Sequence, residues 1–380
     1  MARKILCAGP TAIAPEVLDR MTQASTNPDL DPDYLTFHQQ VIKKYQQLLK
    51  TEATTFMMLG EAMVALEGAV VSLVEPGDRV LVLSNGVYGQ GFADYVRFVG
   101  GEPVVFSQDH RHGLDLDRLA AFLERDHDFA LATMVHCETP TAVTNDLAGV
   151  AGLLNQYGIL SIVDSVSGIG GEKVDFDAFG LDCILCGSQK VLSAPTGLSL
   201  VTLSKRAEEK IADRQKEIPS FYLNFKNYYA YDDPAFAFPY TMSEHLTAAL
   251  DEALDRLLAQ DYLSLHARYA RLTRETVTAS GLSLYALDHF ANTVTAVCLP
   301  EGLSASQLLD TMRAKDILIS KGVGPMADRL FRIGHMGNNI SEDNFRALFA
   351  ALDQSFTDLG YPLDQSLEAT FVALLADDRP

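Results

Sequence analysis

The chain has 380 residues, of which 48% are apolar and 21% charged, a composition typical of a globular protein long enough for two domains. Its 50 acidic and 30 basic residues give a formal charge of −20, which argues against nucleic acids and anionic membrane surfaces as partners. No apolar run reaches the roughly 18 residues of a membrane span, and the first residues lack the apolar region of a secretory signal. The five cysteines, an odd and sparse set, indicate a reducing cytoplasm.

The first half of the chain alternates helical spacing with short apolar runs. Helices are predicted at residues 15–21, 35–49, 62–74, 115–124 and 147–157, with another opening after the loop at 85–89. Strands are predicted at residues 54–59, 80–83, 103–106, 129–135, 160–163, 183–186 and 198–203. Strands that alternate with helices predict the α/β class, with a mostly parallel sheet covered on both faces.

Residues 220–240 break this pattern, because they contain nine Phe or Tyr residues with no clear period. Exposed, they would form an apolar patch, so we expect them to pack against another surface such as a second subunit. A helix at 242–258 then leads to an α+β region with strands at 293–298, 317–319 and 330–333. We therefore expect an N-terminal arm (1–20), a large ligand-binding domain (21–255) and a small C-terminal domain (256–380).

Two chemical groups stand just past two of the predicted strands. Asp164 ends the apolar run of residues 160–163, and Lys190 follows the run of residues 183–186. Ligands of an open α/β sheet bind outside the carboxyl ends of the strands, so this carboxylate and this amine can face one small molecule. A pyridine ring needs such a pair, an anion to keep its nitrogen protonated and an amine to form a Schiff base with its aldehyde. Taken alone, Asp164 would be a helix cap and Lys190 a solvated lysine.

Two further short motifs bear on ligands. Gly60-Glu61 lies between a strand and a helix, the arrangement that usually cradles a phosphate at the helix N-terminus. Cys183 and Cys186 have the spacing of a redox pair, but they lie inside an apolar strand run and are predicted to be core side chains. No second Cys or His pair completes a zinc site, so no metal is expected.

These elements, in this order, resemble the class V aminotransferases of fold type I, the alanine–glyoxylate and serine–pyruvate group. The likeness runs from Gly9-Pro10 to Arg332. Its motifs are short, but their ordered set with this spacing is specific. The resemblance implies a large domain whose mostly parallel sheet is flanked by helices, a smaller α+β C-terminal domain, and chemistry on a pyridoxal-type ring.

The resemblance also implies a role for each candidate side chain. Lys190 would be the Schiff-base lysine and Asp164 the partner of the pyridine nitrogen. An arginine at position 332 offers a bidentate fork for a substrate carboxylate, although a surface ion pair is the ordinary alternative. The other implied ligand contacts are Tyr88 stacked on one ring face, Val166 on the opposite face, Thr139 at the ring hydroxyl, Gln189 lining the pocket, and Thr241 donated to the neighbouring subunit.

Glu61 departs from the common pattern of the family. Most members carry small hydroxyl and glycine residues for the coenzyme phosphate where this chain has Gly60-Glu61-Ala62. A carboxylate beside a dianionic phosphate is repelled by several kcal/mol in a partly buried site, of which the helix dipole offsets at most ~2 kcal/mol. A neutral hydroxymethyl group can donate a hydrogen bond to Glu61, which predicts unphosphorylated pyridoxamine as the ligand. The ordinary alternative is a helix-start carboxylate that interacts with the dipole.

One branch of the family, the pyridoxamine–pyruvate aminotransferases, acts on that ligand. The chain resembles it further in residues 86–92, 139–140, 163–167 and 332–337. That branch has a second arginine before the last strand, where this chain has Val323, and Lys321, two positions away, is the candidate to supply the charge in its place. The resemblance implies interconversion of pyridoxamine and pyruvate with pyridoxal and L-alanine.

From this resemblance we expect no tightly bound cofactor, with pyridoxal and pyridoxamine as substrates, in a cytoplasmic homodimer or homotetramer. The alternative is a conventional aminotransferase with pyridoxal phosphate and an alanine/serine–glyoxylate or 2-aminoethylphosphonate–pyruvate reaction, in which Glu61 turns away from the phosphate. A lyase or desulfurase would need a catalytic cysteine in a mobile loop, and Cys137 and Cys298 lie in or beside predicted strands. A non-catalytic vitamer-binding protein is the remaining alternative, against which Lys190 argues.

Overall fold

The computed structural model of the chain describes residues 3–23, 25–230 and 238–378. The strands are β1 (Lys4–Ile5), β2 (Thr54–Leu59), β3 (Arg79–Ser84), β4 (Glu102–Ser107), β5 (Leu131–Val135), β6 (Cys137–Glu138), β7 (Val143–Thr144), β8 (Leu160–Asp164), β9 (Cys183–Gly187), β10 (Leu198–Leu203), β11 (Ser283–Leu284), β12 (Val294–Cys298), β13 (Ile317–Leu318), β14 (Ser320–Lys321) and β15 (Leu330–Gly334).

The α-helices in the same ranges are α1 (Pro15–Gln23), α2 (Pro32–Leu49), α3 (Ala62–Leu73), α4 (Val87–Phe98), α5 (Leu116–Leu123), α6 (Leu147–Gln156), α7 (Phe176–Phe179), α8 (Lys205–Ala212), α9 (Lys226–Tyr229), α10 (Glu244–Leu258), α11 (Tyr262–Ala279), α12 (Ala305–Ala314), α13 (Glu342–Asp358) and α14 (Leu367–Asp377). None of these helices is long and apolar enough to cross a membrane.

The larger part of the described chain is built on a central sheet with strand order β2-β10-β9-β8-β5-β3-β4. β10 runs antiparallel to both of its neighbours. The other pairings in this sheet are parallel. The mostly parallel sheet predicted from the sequence is therefore confirmed. The carboxyl ends of β5, β8 and β9 lie side by side at one edge.

Helices cover both faces of this sheet because successive strand residues point to opposite sides. In β8, Val163 packs in one apolar cluster with α1, α2, α5, α6 and α10, whereas Ile162 packs in a second cluster with α3, α4 and α8. Cys183 and Cys186 fall in different clusters in the same way. They are free, buried thiols on opposite faces of the sheet, as expected for core side chains.

The C-terminal part forms a second sheet with the strand order β11-β12-β15-β14, antiparallel throughout. It shares an apolar core with α11, α12, α13 and α14, in which Phe331, Phe345 and Phe371 are fully buried. At the other end of the chain, β1 pairs in parallel with β13, with Lys4 opposite Ile317. The first residues are therefore tied to the C-terminal part, while the predicted domain boundaries stay a prediction.

The starts of α4 and α10 are among the element boundaries that differ from the sequence prediction. The predicted loop at 85–89 is shorter, because the extended Gly86 is the N-cap of α4 and Tyr88 lies in its first turn. α10 starts at Glu244 rather than at 242, because Ser243 caps it. In the aromatic segment, Tyr228 stacks on a residue of β2, and residues 231–237 lie outside the described part of the chain.

Candidate active site

Asp164 and Lys190 meet at the carboxyl edge of the central sheet. β8 and β9 are parallel neighbours, and Asp164, the last residue of β8, lies opposite Leu185. β9 ends at Gly187, three residues before the lysine. The negative charge of Asp164 acts on the amine and raises its pKa, against the dominant effect of burial. The sheet therefore brings the predicted carboxylate and amine together.

The carboxylate of Asp164 is buried and fixed in orientation. Its Oδ1 accepts a hydrogen bond of 2.9 Å from the backbone N–H of the half-buried Val166. The predicted contact of the Val166 side chain with the ring stays a prediction. Burial raises the pKa of Asp164 to about 6, while the Val166 N–H and the charge of Lys190 act in the opposite direction. A cationic group placed against this oxygen would lower that pKa and favour the anion.

Lys190 is held by the N-terminal segment that crosses the site. Its Nζ donates a 2.7 Å hydrogen bond to the carbonyl of Ala8. A Cβ built on Gly9 would lie 2.3 Å from Cδ of Lys190, so this position has no room for a side chain. Burial and the charge of Arg332 lower the pKa of Lys190. Both effects favour the neutral amine, which is the nucleophilic form.

Glu61 lies beside Gln189 at the start of α3. Oε1 of Glu61 accepts from the backbone N–H of Met63 at 3.1 Å, and its Oε2 accepts from Nε2 of Gln189 at 3.3 Å. Both donors are neutral. Oε1 of Gln189 is buried and has no hydrogen-bond partner among the described residues. The two side chains thus supply acceptor oxygens and no cation.

Tyr88 stands at the rim of the site with 44% of its surface exposed. Its backbone N–H points to Oε2 of Glu138 at 3.3 Å, and the N–H of Gly89 points to Oε1 at 2.5 Å. Glu138 is fully buried. Glu138 was not among the site residues predicted from the sequence, although the nearby Gly86 and Gly89 are a signal that another group packs closely there.

Arg332 projects from β15 of the C-terminal sheet toward the same site. Its Nη1 donates to the carbonyl of Thr139 at 3.0 Å, and its Nε donates to the carbonyl of Lys321 at 2.8 Å. Burial lowers the pKa of Arg332, and the nearby side chains of Tyr88, Cys7 and Cys137 raise it. No carboxylate among the described residues contributes to this shift. A buried guanidinium with carbonyl partners alone favours an anionic ligand.

Val323 and Lys321, at and near the position of the second arginine, do not add a cation to the site. Val323 is half-buried and brings no charge. Lys321 is exposed, and its charge acts on Asp328. Ser320, the preceding strand residue, points the other way and accepts from the N–H of Ala8. Because neighbouring strand residues face opposite sides, the ammonium of Lys321 lies away from the site, so it does not replace a second arginine.

Thr241 is exposed, and its hydroxyl donates to Asp29 at 2.6 Å. That contact lies within one chain, and the cross-subunit role of Thr241 remains a prediction. The ring-hydroxyl contact of Thr139 has the same status. The Thr139 side chain is buried, while its carbonyl is occupied by Arg332.

The family model described as "Aminotransferase class-V" matches residues 6–218. The chain belongs to the class V aminotransferases. It is 31% identical to the pyridoxamine–pyruvate transaminase of Mesorhizobium japonicum over 98% of this chain and 96% of that protein. It is 30% identical to the serine–glyoxylate aminotransferase of Arabidopsis thaliana over 93% and 90%. The crystal structure of pyridoxamine–pyruvate aminotransferase from Mesorhizobium loti superposes with a TM-score of 0.93 and 28% identity, covering 100% of this chain and 98% of that one.

One expectation from the sequence is wrong. Class V aminotransferases are pyridoxal-phosphate-dependent, which overturns the expectation that no cofactor is tightly bound. The chain's residues fit the ring of that cofactor, because Lys190 offers an amine, Asp164 a carboxylate and Tyr88 an aromatic face. The fit is poor at the arm of the ring, the substituent that carries the phosphate. Glu61 and the unpartnered Oε1 of Gln189 are acceptors, and a phosphate also presents acceptors.

The affinity for the ring at low pH should depend on the protonation state of Asp164. Its pKa is raised to about 6, so the side chain is anionic above that pH and neutral below it. We expect the affinity for pyridoxal, followed by absorbance, to fall as the pH drops through about 6, because a neutral acid no longer stabilises a protonated ring nitrogen. Asp164→Asn should bind weakly and lack this step, while keeping the dependence due to Lys190. Identical pH profiles for the two proteins would exclude this role.

Proposed function

We propose that the chain is an aminotransferase that interconverts pyridoxamine and pyruvate with pyridoxal and L-alanine at Lys190. The single observation that carries the proposal is the acceptor pair at the start of α3, formed by the carboxylate of Glu61 and the unpartnered Oε1 of Gln189. Pyridoxamine carries a hydroxymethyl arm, which can donate a hydrogen bond to such an acceptor. The phosphate arm of the family's cofactor has no comparable donor.

Magnitudes favour the neutral arm. Two unit charges of the same sign about 4 Å apart repel by about 4 kcal/mol at the effective dielectric of a partly exposed site. The N-terminus of α3 offsets at most ~2 kcal/mol of this. Glu61 also caps that helix itself through Met63, which uses one of the N–H groups a phosphate would need. The balance therefore disfavours a phosphate beside an ionised Glu61.

In this proposal the bound ring supplies an aldehyde for the Schiff base and an electron sink for the carbanion. Lys190, with its lowered pKa, would attack the ring aldehyde as a neutral amine with loss of water, and the amine of alanine would then displace it. The freed amine of Lys190 would move a proton between the substrate Cα and the former aldehyde carbon, and hydrolysis would release pyruvate and pyridoxamine. Asp164 holds the proton on the ring nitrogen. The guanidinium of Arg332 binds the carboxylate of alanine or pyruvate.

Pyruvate and alanine suit a site with one available guanidinium. Lys321 points away from the site, and Val323 brings no charge, so Arg332 is the cation that faces the ligand among the described residues. A monocarboxylic acid needs only one such partner. A dicarboxylic substrate would leave its second carboxylate without a partner in a partly buried pocket.

A second candidate function is a pyridoxal-phosphate-dependent alanine– or serine–glyoxylate aminotransferase. The observation in its favour is the turn at Gly60, where a strand feeds the N-terminus of α3 and presents backbone N–H groups. Asp164, Lys190 and Arg332 would keep their roles. The two candidates differ in the arm of the ring, so Glu61 decides between them.

The variant Glu61→Gln tests the proposal because it keeps the side-chain size and removes the charge. We expect its affinity for pyridoxal phosphate relative to pyridoxal to rise by at least about tenfold, a fraction of the removed repulsion. Glu67→Gln is the matched control, since Glu67 is an exposed residue of the same helix and should leave the ratio unchanged. An unchanged ratio in Glu61→Gln would contradict the proposal and favour the second candidate.

We also propose a cytoplasmic homodimer or homotetramer, divided into an arm (1–20), a large domain (21–255) and a small domain (256–380). Phe221 and Tyr222 are exposed aromatic side chains, 58% and 38%, in the segment predicted to pack on another subunit. Sedimentation of the purified protein checks the assembly. A monomer at micromolar concentration would contradict it.

A further inference from the structure

We propose that Glu138 is a positioning residue that fixes the ring of Tyr88 over the ligand by accepting the backbone N–H groups at the start of α4. The proposal rests on the proposed function only in its ligand, a pyridoxal-type ring at Lys190. Glu138 touches neither that ring nor the substrate. It acts through the backbone of Tyr88, the residue whose side chain would contact the ring.

The geometry of the contact is specific. The two carboxylate oxygens of Glu138 divide between two donors, Oε2 for the N–H of Tyr88 at 3.3 Å and Oε1 for the N–H of Gly89 at 2.5 Å. These are free N–H groups of the first helical turn, which have no partner within the helix. The helix N-terminus also stabilises the negative charge of the carboxylate. Glu138 thus ties down the turn that carries Tyr88.

The surroundings leave the carboxylate almost no freedom. A Cβ on Gly86 would lie 2.2 Å from Cδ of Glu138, and one on Gly89 would lie 3.2 Å from its Oε1. Gly86 and Gly89 are therefore positions where a side chain would collide with, or press against, the carboxylate. Glu138 is fully buried on the short ribbon formed by β6 and β7, where it pairs with Val143. A buried carboxylate in so closed a space requires its donors, because an unpartnered one is costly.

Glu138 also adjoins the other half of the site. The next residue, Thr139, accepts from the guanidinium of Arg332 through its carbonyl. Burial raises the pKa of Glu138 to about 7, opposed by the two N–H bonds and increased by the charge of Asp164. The adjacent residues Glu138 and Thr139 therefore contact Tyr88, which is predicted to stack on the ring, and Arg332, which is predicted to bind the carboxylate. We place the function of Glu138 on the Tyr88 side, where its own side chain makes contact.

The test is a double-mutant cycle on ring affinity. Glu138→Gln keeps the size but accepts through one oxygen, so one of the two N–H groups loses its partner. We expect pyridoxal affinity to fall by about tenfold in Glu138→Gln and by less than about twofold when the same change is made in Tyr88→Ala. The visible circular dichroism of the bound ring should change in Glu138→Gln, because the stacked aromatic ring is displaced.

Glu172→Gln is the matched control. Glu172 is also a buried glutamate, and it accepts the backbone N–H of Asn292 at 2.5 Å and its side-chain amide at 3.0 Å, so its donors come from a residue outside α4. This change should show no coupling with Tyr88. If Glu138→Gln does not fold, Gly86→Ala displaces the same carboxylate by steric contact and should show the same coupling.

Equal losses of affinity with and without the Tyr88 side chain would overturn the proposal, as would equal coupling for Glu172. The measurements are made in parallel with pyridoxal and with pyridoxal phosphate. A protein that binds only the phosphate form fails the proposed function, while its coupling with that ring still tests Glu138. The two failures are therefore distinguishable.

Discussion

Replacing Lys190 by alanine should abolish transamination while leaving the fold intact. The loss of the positioned proton carrier alone costs about 10²–10⁴-fold in rate, and the variant also loses the amine that attacks the ring. We expect the fold to remain because the amine makes a single hydrogen bond among the described residues, to the carbonyl of Ala8, and because burial disfavours its charged form. Turnover of alanine with pyridoxal, measured together with the melting temperature, checks this.

Lys205→Ala is the matched control for that variant, because Lys205 is a solvent-exposed lysine of α8 whose side chain is 82% exposed. It should retain full activity. Borohydride reduction in the presence of pyridoxal should label the wild type and the Lys205 variant on Lys190, and should not label Lys190→Ala. Normal turnover in Lys190→Ala would eliminate the Schiff-base scheme.

Replacing Arg332 by alanine should have the second largest effect, on amino and keto acids rather than on the ring. Loss of a buried charge partner costs about 2–5 kcal/mol, which is a loss in kcat/KM for alanine of about 30-fold or more. The kcat/KM of Arg332→Lys should lie between those of the wild type and Arg332→Ala, because lysine keeps the charge and loses the planar fork. Steady-state kinetics with alanine and with pyruvate check this order.

Two controls separate carboxylate binding from damage to the site. Pyridoxal affinity should change less in Arg332→Ala than kcat/KM for alanine does, because the guanidinium donates to the backbone carbonyls of Thr139 and Lys321 and acts on Lys190 only through its charge. Arg329→Ala removes an exposed arginine just before the same strand and should leave kcat/KM unchanged. An alanine variant at 332 with normal KM and kcat would exclude the proposed carboxylate contact.

The central sheet and the pairing of Asp164 with Lys190 could be predicted because both depend on local signals. Apolar runs of strand length end at these residues, and parallel strands place their carboxyl ends at one edge. The contact of Lys190 with Ala8 could not be predicted in this way, because it joins residues 182 positions apart. In the sequence Gly9 marks only the start of the family resemblance, whereas in the structure its missing side chain leaves room for the side chain of Lys190.

Glu138 and Lys321 mark the two ways in which sequence reasoning about the site was incomplete. Glu138 is 49 positions from the N–H group that it accepts most closely, and no local pattern predicts that approach. Lys321 was the basic residue nearest to the expected second arginine, but its direction depends on which side of β14 faces the ligand. Only the neighbouring Ser320, bonded to Ala8, reveals that side.

The cofactor expectation failed because it extended one local argument to the whole site. Glu61 bears on the arm of the ring, whereas the family and its pyridoxal phosphate dependence follow from the ordered elements of most of the chain. The carboxylate at the start of α3 still requires a partner that can donate to it. Whether the phosphorylated or the unphosphorylated ring meets this requirement can be measured directly.

The most direct measurement is turnover of the purified protein, after removal of any bound ring, with pyruvate and either pyridoxamine or pyridoxamine phosphate. The account predicts fast formation of alanine with the unphosphorylated amine and little with the phosphorylated one, because Glu61 repels the phosphate. Preference for pyridoxamine phosphate, or activity that appears only after pyridoxal phosphate is added, would contradict it and support the second candidate function.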